Sequence, residues 1–316
     1  MIEQPTPGQT AAPAPAATPS GTLAAPRVDL SRARARPRLR TDERAFLWVS
    51  RVIVWVVMAL TLIPFALVLI ASLTPGQTFF VTSIIPKALS FEHYANVFDP
   101  SKTPIGTWLK NSAIVCLVTS GCSVLLVTSM AYAFSRFRFF GRKYGLMGLL
   151  LIQMFPAQMA FVALFYLLNY IHLLNSLTGL IVVFLGGGIP FNAWLFKGYI
   201  DGLPRDLEEA AYVDGATPFQ AFWKVILPLT RPMMAVIFIF QTIGIYNDYI
   251  LTNYLITSSD KYTVAVGLYS FLNNQFSQNW NDFAAGAIIA TIPIVLLFLL
   301  AQRWLVSGLA SGAVKG

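Results

Sequence analysis

The sequence predicts an all-α integral membrane protein with six transmembrane helices, and three observations carry this prediction. Of the 316 residues, 56% are hydrophobic and only 11% are charged, whereas soluble domains are about 25% charged. Six mostly apolar runs each reach the length of roughly 20 residues that a membrane-spanning helix needs. Lys and Arg are concentrated in alternate connecting segments, as in multi-pass proteins that keep positive charge on one side.

Residues 1–45 are predicted to be a disordered cytoplasmic tail. Pro and Ala recur in this segment, and arginines follow from Arg27 to Arg40, so it has too little apolar surface to fold. A basic tail suits nucleic acid, but one that adjoins a span better fits cytoplasmic retention and contact with anionic membrane lipid. We therefore expect no nucleic-acid partner. The first apolar run starts near Phe46 and is too long for a signal peptide.

Residues 46–316 are predicted to form one six-span domain. The predicted spans lie near residues 46–73, 108–134, 144–170, 176–197, 232–256 and 283–306. With the N-terminus inside, all but four of the 22 Lys and Arg fall in the tail, inner loops or inner span ends, the exceptions being Lys87, Lys102, Lys110 and Lys261. This asymmetry predicts cytoplasmic N- and C-termini and places the loop 198–231 on the cytoplasmic face.

Several predicted spans contain helix breakers, namely Pro64, Pro156, Pro190 and Pro293. Proline removes a backbone donor and can kink a helix. Gly186–Gly188 precede Pro190 and make this the densest such site. Two interpretations stay open there: a broken helix that lines a cavity, or small residues that let helices pack closely.

Polar side chains inside the predicted spans are few. They are Gln153, Gln158, Asn192, Gln241, Asn247 and Asp248. Asp248 is the only carboxylate placed within a span, which makes it, with its neighbours Tyr246 and Asn247, a candidate for the substrate path. The alternative is that Asp248 lies near the outer end of its span and reaches headgroup water.

No pattern in the sequence predicts catalysis, so we expect a protein that is not an enzyme and that binds no cofactor itself. The phosphate-binding G-x-x-x-x-G-K-[ST] pattern is absent from the sequence. His93 and His172 are isolated and fall in predicted outer loops, so no metal site is expected. Cys116 and Cys122 lie six residues apart in one span and point to different helix faces, which argues against a disulfide.

A charged, amphipathic segment from Asp206 to Pro228 interrupts this apolar sequence and is predicted to form two short helices. Acidic residues fill the first turn, where the helix dipole favours them: Asp206, Glu208 and Glu209. Leu207, Ala210 and Ala211 share one face by their spacing, and Gly215 suits the helix end. A first helix of about 11 residues is roughly 16 Å long, too short to cross a membrane.

The second short helix has its own start signal. Thr217 suits the N-cap, Pro218 the first helical position, and Gln220 the third position of a capping box. The apolar stripe that follows is predicted to consist of Phe219, Phe222, Trp223 and Ile226.

The spacing Glu209-Ala210-Ala211-x3-Gly215-x9-Val225-Ile226-Leu227-Pro228 resembles the EAA loop of permease subunits in bacterial ABC importers. That family prefers Ile where this chain has Val225. Six segments are similar to the MalG-type permeases of maltose and maltodextrin importers: 131–136, 153–157, 214–222, 262–267, 282–285 and 301–306. The C-terminal residues 308–316 resemble the C-terminus of those permeases as well. The similarity extends from about residue 46 to the C-terminus and excludes the N-terminal tail, residues 1–45.

The resemblance implies a MetI-like, type I ABC importer fold with a cytoplasmic coupling helix, in the bacterial plasma (inner) membrane. It implies a permease subunit of an ATP-driven, binding-protein-dependent sugar importer that works by alternating access, with maltose or maltodextrin as the expected cargo. The implied partners are a second permease of the MalF type, two copies of an ABC ATPase that use ATP and Mg, and an extracytoplasmic sugar-binding protein. The positions implied to couple to the ATPase are Glu209, Ala210, Ala211, Gly215, Leu227 and Pro228.

Two further segments acquire implied roles. In the family, the last outer loop enters the binding protein, which assigns that contact here to Asn273, Asn274, Gln275 and Phe276 in the loop 257–282. The family's C-terminal tail, here 308–316, reaches between the ATPases. Two alternatives stay open: an ABC permease for another cargo, such as trehalose, another disaccharide or a glycerol phosphate, and a secondary transporter or channel that works without an ATPase.

Overall fold

A computed structural model of the chain describes residues 41–76, 88–272 and 279–313, without the side chains of residues 41, 42, 44, 303 and 305–313. The predicted binding-protein contacts Asn273, Asn274, Gln275 and Phe276 lie outside the described residues, as does most of the 1–45 tail. All regular secondary structure in the described ranges is helical. The all-α prediction is therefore confirmed for the part of the chain that the structure covers.

The described residues contain thirteen α-helices in chain order, of which the longest belong to the predicted spans. Their bounds are α1 Thr41–Leu73, α2 Glu92–Phe98, α3 Ile105–Arg136, α4 Gly145–Ile152, α5 Phe161–Tyr170, α6 Leu177–Asp201, α7 Asp206–Val213, α8 Pro218–Ala221, α9 Leu227–Leu229, α10 Arg231–Tyr246, α11 Ile250–Leu255, α12 Val264–Ser270 and α13 Trp280–Ala313. A π-helix, Phe222–Ile226, joins α8 to α9, and 3₁₀-helices occupy Ala157–Ala160 and Ser259–Lys261.

Four described helices are long and apolar enough to cross a membrane by themselves. They contain the segments Ala45–Leu73, Ile105–Arg136, Leu177–Asp201 and Trp280–Gln302. Two bent pairs satisfy the same criterion when each is taken together: Gly145–Ile152 with Ala157–Tyr170, bent by 84°, and Pro218–Leu229 with Arg231–Tyr246, bent by 71°. The chain is therefore a multi-pass membrane protein, with six spans only if each bent pair is one span.

Of the four predicted breakers, only Pro156 coincides with an interruption. It lies between α4 and the 3₁₀-helix Ala157–Ala160, whereas Pro64, Pro190 and Pro293 lie inside continuous helices. A proline loses only one backbone hydrogen bond, and a long helix tolerates that loss when other groups satisfy the freed carbonyl.

The fifth predicted span, 232–256, is not one helix. α10 ends at Tyr246, and three residues separate it from α11, which starts at Ile250. The 16 residues of α10 extend about 24 Å, less than the roughly 30 Å hydrocarbon core. The apolar run was long enough for a span, but composition alone did not show the break inside it.

The chain divides into two units, residues 1–58 and 59–316. In the first unit, the described part of α1 has exposed side chains, and the Arg51 guanidinium lies 5.7 Å from the centre of the Trp48 ring. In the second unit, α3 packs against α6 and α10, and α10 packs against α13.

Two buried hydrophobic clusters lie along α3 in the second unit. One surrounds Trp108 and Val115 near the start of α3 and includes Tyr246 of α10. The other surrounds Val127 and Tyr132 near its end. The second cluster also contains Phe222 from the π-helix, so the segment after α7 is packed into the same core as the spans.

The prediction that His93 is isolated is wrong. His93 is buried in α2, and its Nδ1 lies 2.6 Å from Oδ1 of Asp282 at the start of α13. Its Nε2 lies 3.0 Å from the carbonyl oxygen of Thr74. The two members of the pair are 189 residues apart, so their contact joins segments that no local pattern relates.

Candidate functional site

α7 is the first helix of the predicted coupling segment, and its residues explain both of its ends. It spans Asp206–Val213, only 8 residues, with Asp206, Glu208 and Glu209 in the first turn. Gly215 follows with φ +84°, a conformation that glycine adopts at little cost. The N–H of Gly215 donates to Tyr212 O at 3.0 Å, and that of Ala216 donates to Ala211 O at 2.9 Å. This pair of bonds is a Schellman termination, so the prediction that Gly215 ends the helix is confirmed.

The predicted capping box of the second helix is also confirmed. The N–H of Gln220 donates to Thr217 Oγ1 at 3.3 Å, and the N–H of Thr217 donates to Gln220 Oε1 at 2.9 Å. Pro218 occupies the first turn of α8. These reciprocal bonds fix the direction in which the chain leaves the turn after Gly215.

The predicted apolar stripe does not stay on one side of this segment. Phe222 and Ile226 are buried, whereas Phe219 and Trp223 are exposed, with their ring centres 6.0 Å apart. With about 3.6 residues per turn, Phe222 and Ile226 lie on one edge of the stripe and Phe219 and Trp223 on the other, and the π-helix from Phe222 widens the turn. One edge of the stripe is therefore core, and the other is available to a partner.

The anchor of α7 is a carboxylate. Glu208 is the only buried residue of α7, with 4% exposure. Its Oε1 accepts a hydrogen bond from Arg136 Nε at 2.6 Å, and its Oε2 accepts one from the Tyr132 hydroxyl at 3.2 Å. Arg136 Nη2 also donates to Leu203 O at 3.0 Å. The last turn of α3 therefore holds both α7 and the chain that leads into it.

The same end of α3 is bonded to α6. Ser135 Oγ donates to Asp201 Oδ1 at 2.6 Å, and Arg136 Nη1 donates to Ser135 Oγ at 3.2 Å. Asp201 Oδ2 in turn accepts from Lys197 Nζ at 2.5 Å. A continuous set of polar contacts thus connects α7 to the ends of two long helices.

The outward side of α7 combines apolar and acidic side chains. Val213 is 87% exposed, and Leu207, Ala210 and Tyr212 are exposed as well. The carboxylates Asp206 and Glu209 are also exposed, and their helical spacing puts them on the same side as Ala210 and Val213. Exposed apolar side chains bordered by charged ones are typical of a contact surface.

The remaining candidates are distributed along the coupling segment, from α7 to α9. Ala211, Leu227 and Pro228 are half-buried, and Gly215 is exposed. The N–H of Thr230 donates to Ile226 O at 3.0 Å, so the segment continues through the short α9 into α10. The structure thus brings the motif residues into one compact segment, anchored by Glu208 and by the buried Phe222.

The three substrate-path candidates lie at the far end of α10. Tyr246 is buried, and its hydroxyl donates to Ala290 O in α13 at 2.7 Å. Asn247 is exposed, and its Nδ2 donates to Ile243 O at 2.8 Å. Asp248 Oδ1 accepts from the N–H and hydroxyl of Thr252 at 2.9 and 2.8 Å. The carboxylate thus caps α11 between two helices rather than lying inside a continuous one.

No group of three or more His, Cys, Asp or Glu side chains with metal-binding geometry occurs among the described residues. In the same part of the chain, Cys116 is buried and Cys122 is exposed, and both are free thiols.

Sequence reasoning missed Arg136, Tyr132 and the inward direction of Glu208. The available signal was weak: Glu208 lies on the opposite side of a short helix from Ala210, and Arg136 ends a long apolar run. Neither position identifies the other, because 72 residues separate them.

The comparisons with known proteins bear on the family and the fold of the chain. The family described as "Binding-protein-dependent transport system inner membrane component" matches residues 123–311. The chain is 42% identical over 247 residues to the galactooligosaccharides transport system permease protein GanQ of Bacillus subtilis, covering 78% of this chain and 87% of that protein. It is 40% identical over 287 residues to the maltose/maltodextrin transport system permease protein MalG of Photorhabdus laumondii, covering 85% and 96%.

A solved structure shares the fold. A chain in the crystal structure of a bacterial ABC transporter involved in the import of the acidic polysaccharide alginate superposes with a TM-score of 0.70 at 24% identity, covering 85% of this chain and 100% of that chain. The predicted MetI-like permease fold is thereby confirmed. Since the family match covers more than half of the sequence, the chain belongs to the inner membrane components of binding-protein-dependent transport systems.

Proposed function

We propose that this chain is a permease subunit of an ATP-driven sugar importer and that α7 is the element that an ATPase moves. The observation that carries the proposal is that α7 has a buried charged anchor, Glu208, and an exposed side on which the apolar Val213 and Ala210 lie beside the carboxylates Asp206 and Glu209. A helix that only rested on the membrane surface would need no buried ion pair to the end of a span. A helix that is pushed by a partner needs both an exposed contact face and a firm connection inward.

Movement of α7 would reach the spans through the contacts already described. Glu208 is bonded to Arg136 at the end of α3, and Ser135 beside it is bonded to Asp201 at the end of α6. In this proposal a displacement of α7 is transmitted to both long helices through these side-chain contacts and not through a flexible loop. The exposed Glu209, Ala210 and Gly215 take the ATPase contact in this proposal, with Leu227 and Pro228 completing the segment.

Membership of the family supports the rest of the proposed assembly. The proposed complex contains a MalF-type second permease, two ATPase copies that use ATP and Mg, and an extracytoplasmic binding protein, in a bacterial inner membrane with both chain termini cytoplasmic. The charge asymmetry of the loops supports this orientation. Contact of residues 273–276 with the binding protein and a path lined by Tyr246, Asn247 and Asp248 stay predictions.

The proposed cargo is a neutral oligosaccharide, with maltose and maltodextrin as the first candidates. The printed names of the relatives favour this class, since MalG and the maltodextrin permease MalD of Streptococcus pneumoniae are 40% and 42% identical to this chain. GanQ, at 42% identity, favours galactooligosaccharides as the second candidate.

Uptake into proteoliposomes tests the proposal. The full complex, purified with its partner subunits, is expected to import radiolabelled maltotriose or a labelled galactotriose only when both ATP and the loaded binding protein are present. This chain reconstituted by itself is expected to transport neither. Import by the chain alone would identify a secondary transporter or channel and would overturn the proposal.

A further inference from the structure

A basic, aromatic loop joins α3 to α4 and lines a cleft on the surface of the second unit. Residues 137–144 include three cations and no carboxylate. The cleft has a volume of about 600 Å³ and is lined by this loop from Phe139 to Tyr144 and by Lys197 of α6. We name it the basic cleft.

Local contacts hold the loop in a defined conformation. Gly141 adopts φ +88°, which glycine does at little cost, and the N–H of Gly145 donates to Gly141 O at 2.6 Å. The Phe139 ring packs edge-on against Phe134 of α3, with the ring centres 4.9 Å apart. The walls of the basic cleft are therefore in place before any ligand binds.

Arg142 removes an obstacle to anion binding at the end of α3. Its Nε donates to Phe134 O at 3.0 Å, and its Nη2 donates to Ser135 O at 2.9 Å. Carbonyl groups at the C-terminus of a helix carry partial negative charge and disfavour a nearby anion. The guanidinium of Arg142 offsets that charge, so the end of α3 does not repel an anion in the cleft.

Lys143 supplies the charge of the cleft that is least compensated. Its side chain is exposed, and its Nζ lies 5.1 Å from the centre of the Tyr144 ring, an uncharged partner. Lys197 Nζ, by contrast, pairs with Asp201 Oδ2 at 2.5 Å. With Arg142 included, three cations and one carboxylate give a net charge of +2. The basic cleft is therefore complementary to an anion.

The basic cleft lies where the lipid headgroups begin. α3 has 32 residues and is about 48 Å long, which exceeds a hydrocarbon core of about 30 Å, so its end at Arg136 reaches the headgroup region. The chain re-enters an apolar environment in α4, where Met147 and Leu151 are 61% and 57% exposed. Basic pockets at this depth between membrane-spanning helices are suited to phospholipid headgroups.

Exposed aromatic rings distinguish a lipid from a soluble anion as the ligand. Phe140 is fully exposed, at 104%, and Tyr144 is 65% exposed. Apolar ring surface is more stable among lipid carbons than in water. A soluble phosphate would contact only the cations, whereas a phospholipid places its phosphate near the cations and its glycerol and acyl carbons near the rings.

We propose that the basic cleft binds the headgroup of an anionic phospholipid, with the phosphate against Lys143 and the first acyl carbons against Phe140 and Tyr144. The inference goes beyond the proposed sugar import and needs only the position of the cleft at the end of a span. The bound lipid lies beside the last turn of α3, where Arg136 is paired with Glu208 of α7. Lipid composition therefore acts on the helix end that anchors α7.

Lipid binding to the full complex tests the proposal without depending on transport. The complex, purified with its partner subunits in detergent, is titrated with phosphatidylglycerol or phosphatidylcholine and analysed by native mass spectrometry, and it is expected to prefer phosphatidylglycerol. Lys143→Gln should weaken binding at one site about fivefold, the effect of one cation near an anionic lipid. Lys110→Gln is the matched control, because Lys110 is also exposed but lies near the opposite end of α3, and it should leave that site unchanged.

Equal binding of the two lipids by the wild-type complex, or equal effects of Lys143→Gln and Lys110→Gln, would overturn the proposal. Displacement of phosphatidylglycerol by millimolar inorganic phosphate, but not by chloride at equal ionic strength, would reveal a soluble-anion site and would also overturn it. A complex that imports no sugar but binds the lipid as expected would contradict only the proposed function, so the two failures are distinguishable.

Photocross-linking identifies what covers the basic cleft in a bilayer. The full complex with Phe140→p-benzoylphenylalanine, reconstituted in nanodiscs that contain phosphatidylglycerol, is expected to cross-link to lipid on irradiation. The product is detected as the added mass of a phospholipid on the peptide that contains position 140. Cross-links to a partner subunit in place of lipid would show that this face is a protein interface and would refute the proposal.

Discussion

Removing the charge of Glu208 is the sharpest test of the coupling site. Glu208→Gln preserves size but leaves the Arg136 guanidinium buried without its anion; the two side chains are only 6% and 7% exposed. Loss of one member of a buried pair costs about 3–5 kcal/mol. At about 1.4 kcal/mol per factor of ten, the fraction of molecules with α7 detached rises about 140- to 3,700-fold.

Amide hydrogen exchange in the purified complex measures this detachment directly. Local opening exposes the backbone N–H groups of α7, so the peptide containing residues 206–213 is expected to exchange faster by that factor, up to the rate set by global unfolding. The spans should keep their protection, because α3 and α6 remain packed. As α7 detaches, ATP-driven uptake of sugar is expected to fall, while ATP hydrolysis by the partner subunits continues.

A nearby exposed pair supplies the control. Lys197 and Asp201 form an ion pair whose side chains are 28% and 44% exposed, and such pairs contribute about 0–1 kcal/mol. Lys197→Met should therefore change exchange in 206–213 by less than about fivefold. In a double-mutant cycle, Glu208→Gln and Arg136→Gln should be strongly non-additive. If the two effects add within about 0.5 kcal/mol, or exchange is unaltered, the ion pair does not anchor α7.

Three further substitutions test single features of the fold. Gly215→Ala should cost about 1–2 kcal/mol because φ is +84°, and uptake should rank Gly215→Asn above Gly215→Ala and Gly215→Pro; wild-type uptake by the Pro variant would contradict the role of this turn. His93→Ala removes the partner of a buried carboxylate and should lower stability by about 1–3 kcal/mol, measured as a lower Tm of the complex in detergent; an unchanged Tm argues against the link. Gly267→Ala places a Cβ 2.2 Å from the Trp108 ring and should destabilise by about 1–3 kcal/mol in the same Tm assay, whereas Gly244→Ala, which meets nothing within 4 Å, should not destabilise.

Local chemistry made much of the coupling segment predictable. The capping box at Thr217 and Gln220 depends on residues three apart, and the termination at Gly215 depends on the φ of one residue. The long apolar runs likewise predicted α1, α3, α6 and α13, because hydrocarbon thickness fixes the length of a span. These features follow from interactions within one or two helical turns, so the sequence contains what determines them.

Features set by distant partners were not predictable in the same way. The direction of Glu208 depends on Arg136, 72 residues away, and that of His93 on Asp282, 189 residues away. The break at Asn247 was hidden because an apolar run gives the length of a span but not its continuity. The split of the 219–226 stripe likewise depends on which neighbours, such as Tyr132, cover one of its edges.

The length of α7 explains why its anchors and its function are inseparable. An isolated helix of 8 residues is unstable in water, where about 12–15 residues are needed for marginal helicity. α7 is therefore helical because Glu208 is bonded to α3 at one end and the Gly215 turn closes the other. A partner that presses on the exposed side of α7 presses on a helix whose folding already requires those contacts. Any variant that releases Glu208 should consequently unfold α7, which removes the surface that the partner contacts and its connection to the spans at the same time. The membrane domain should stay inserted.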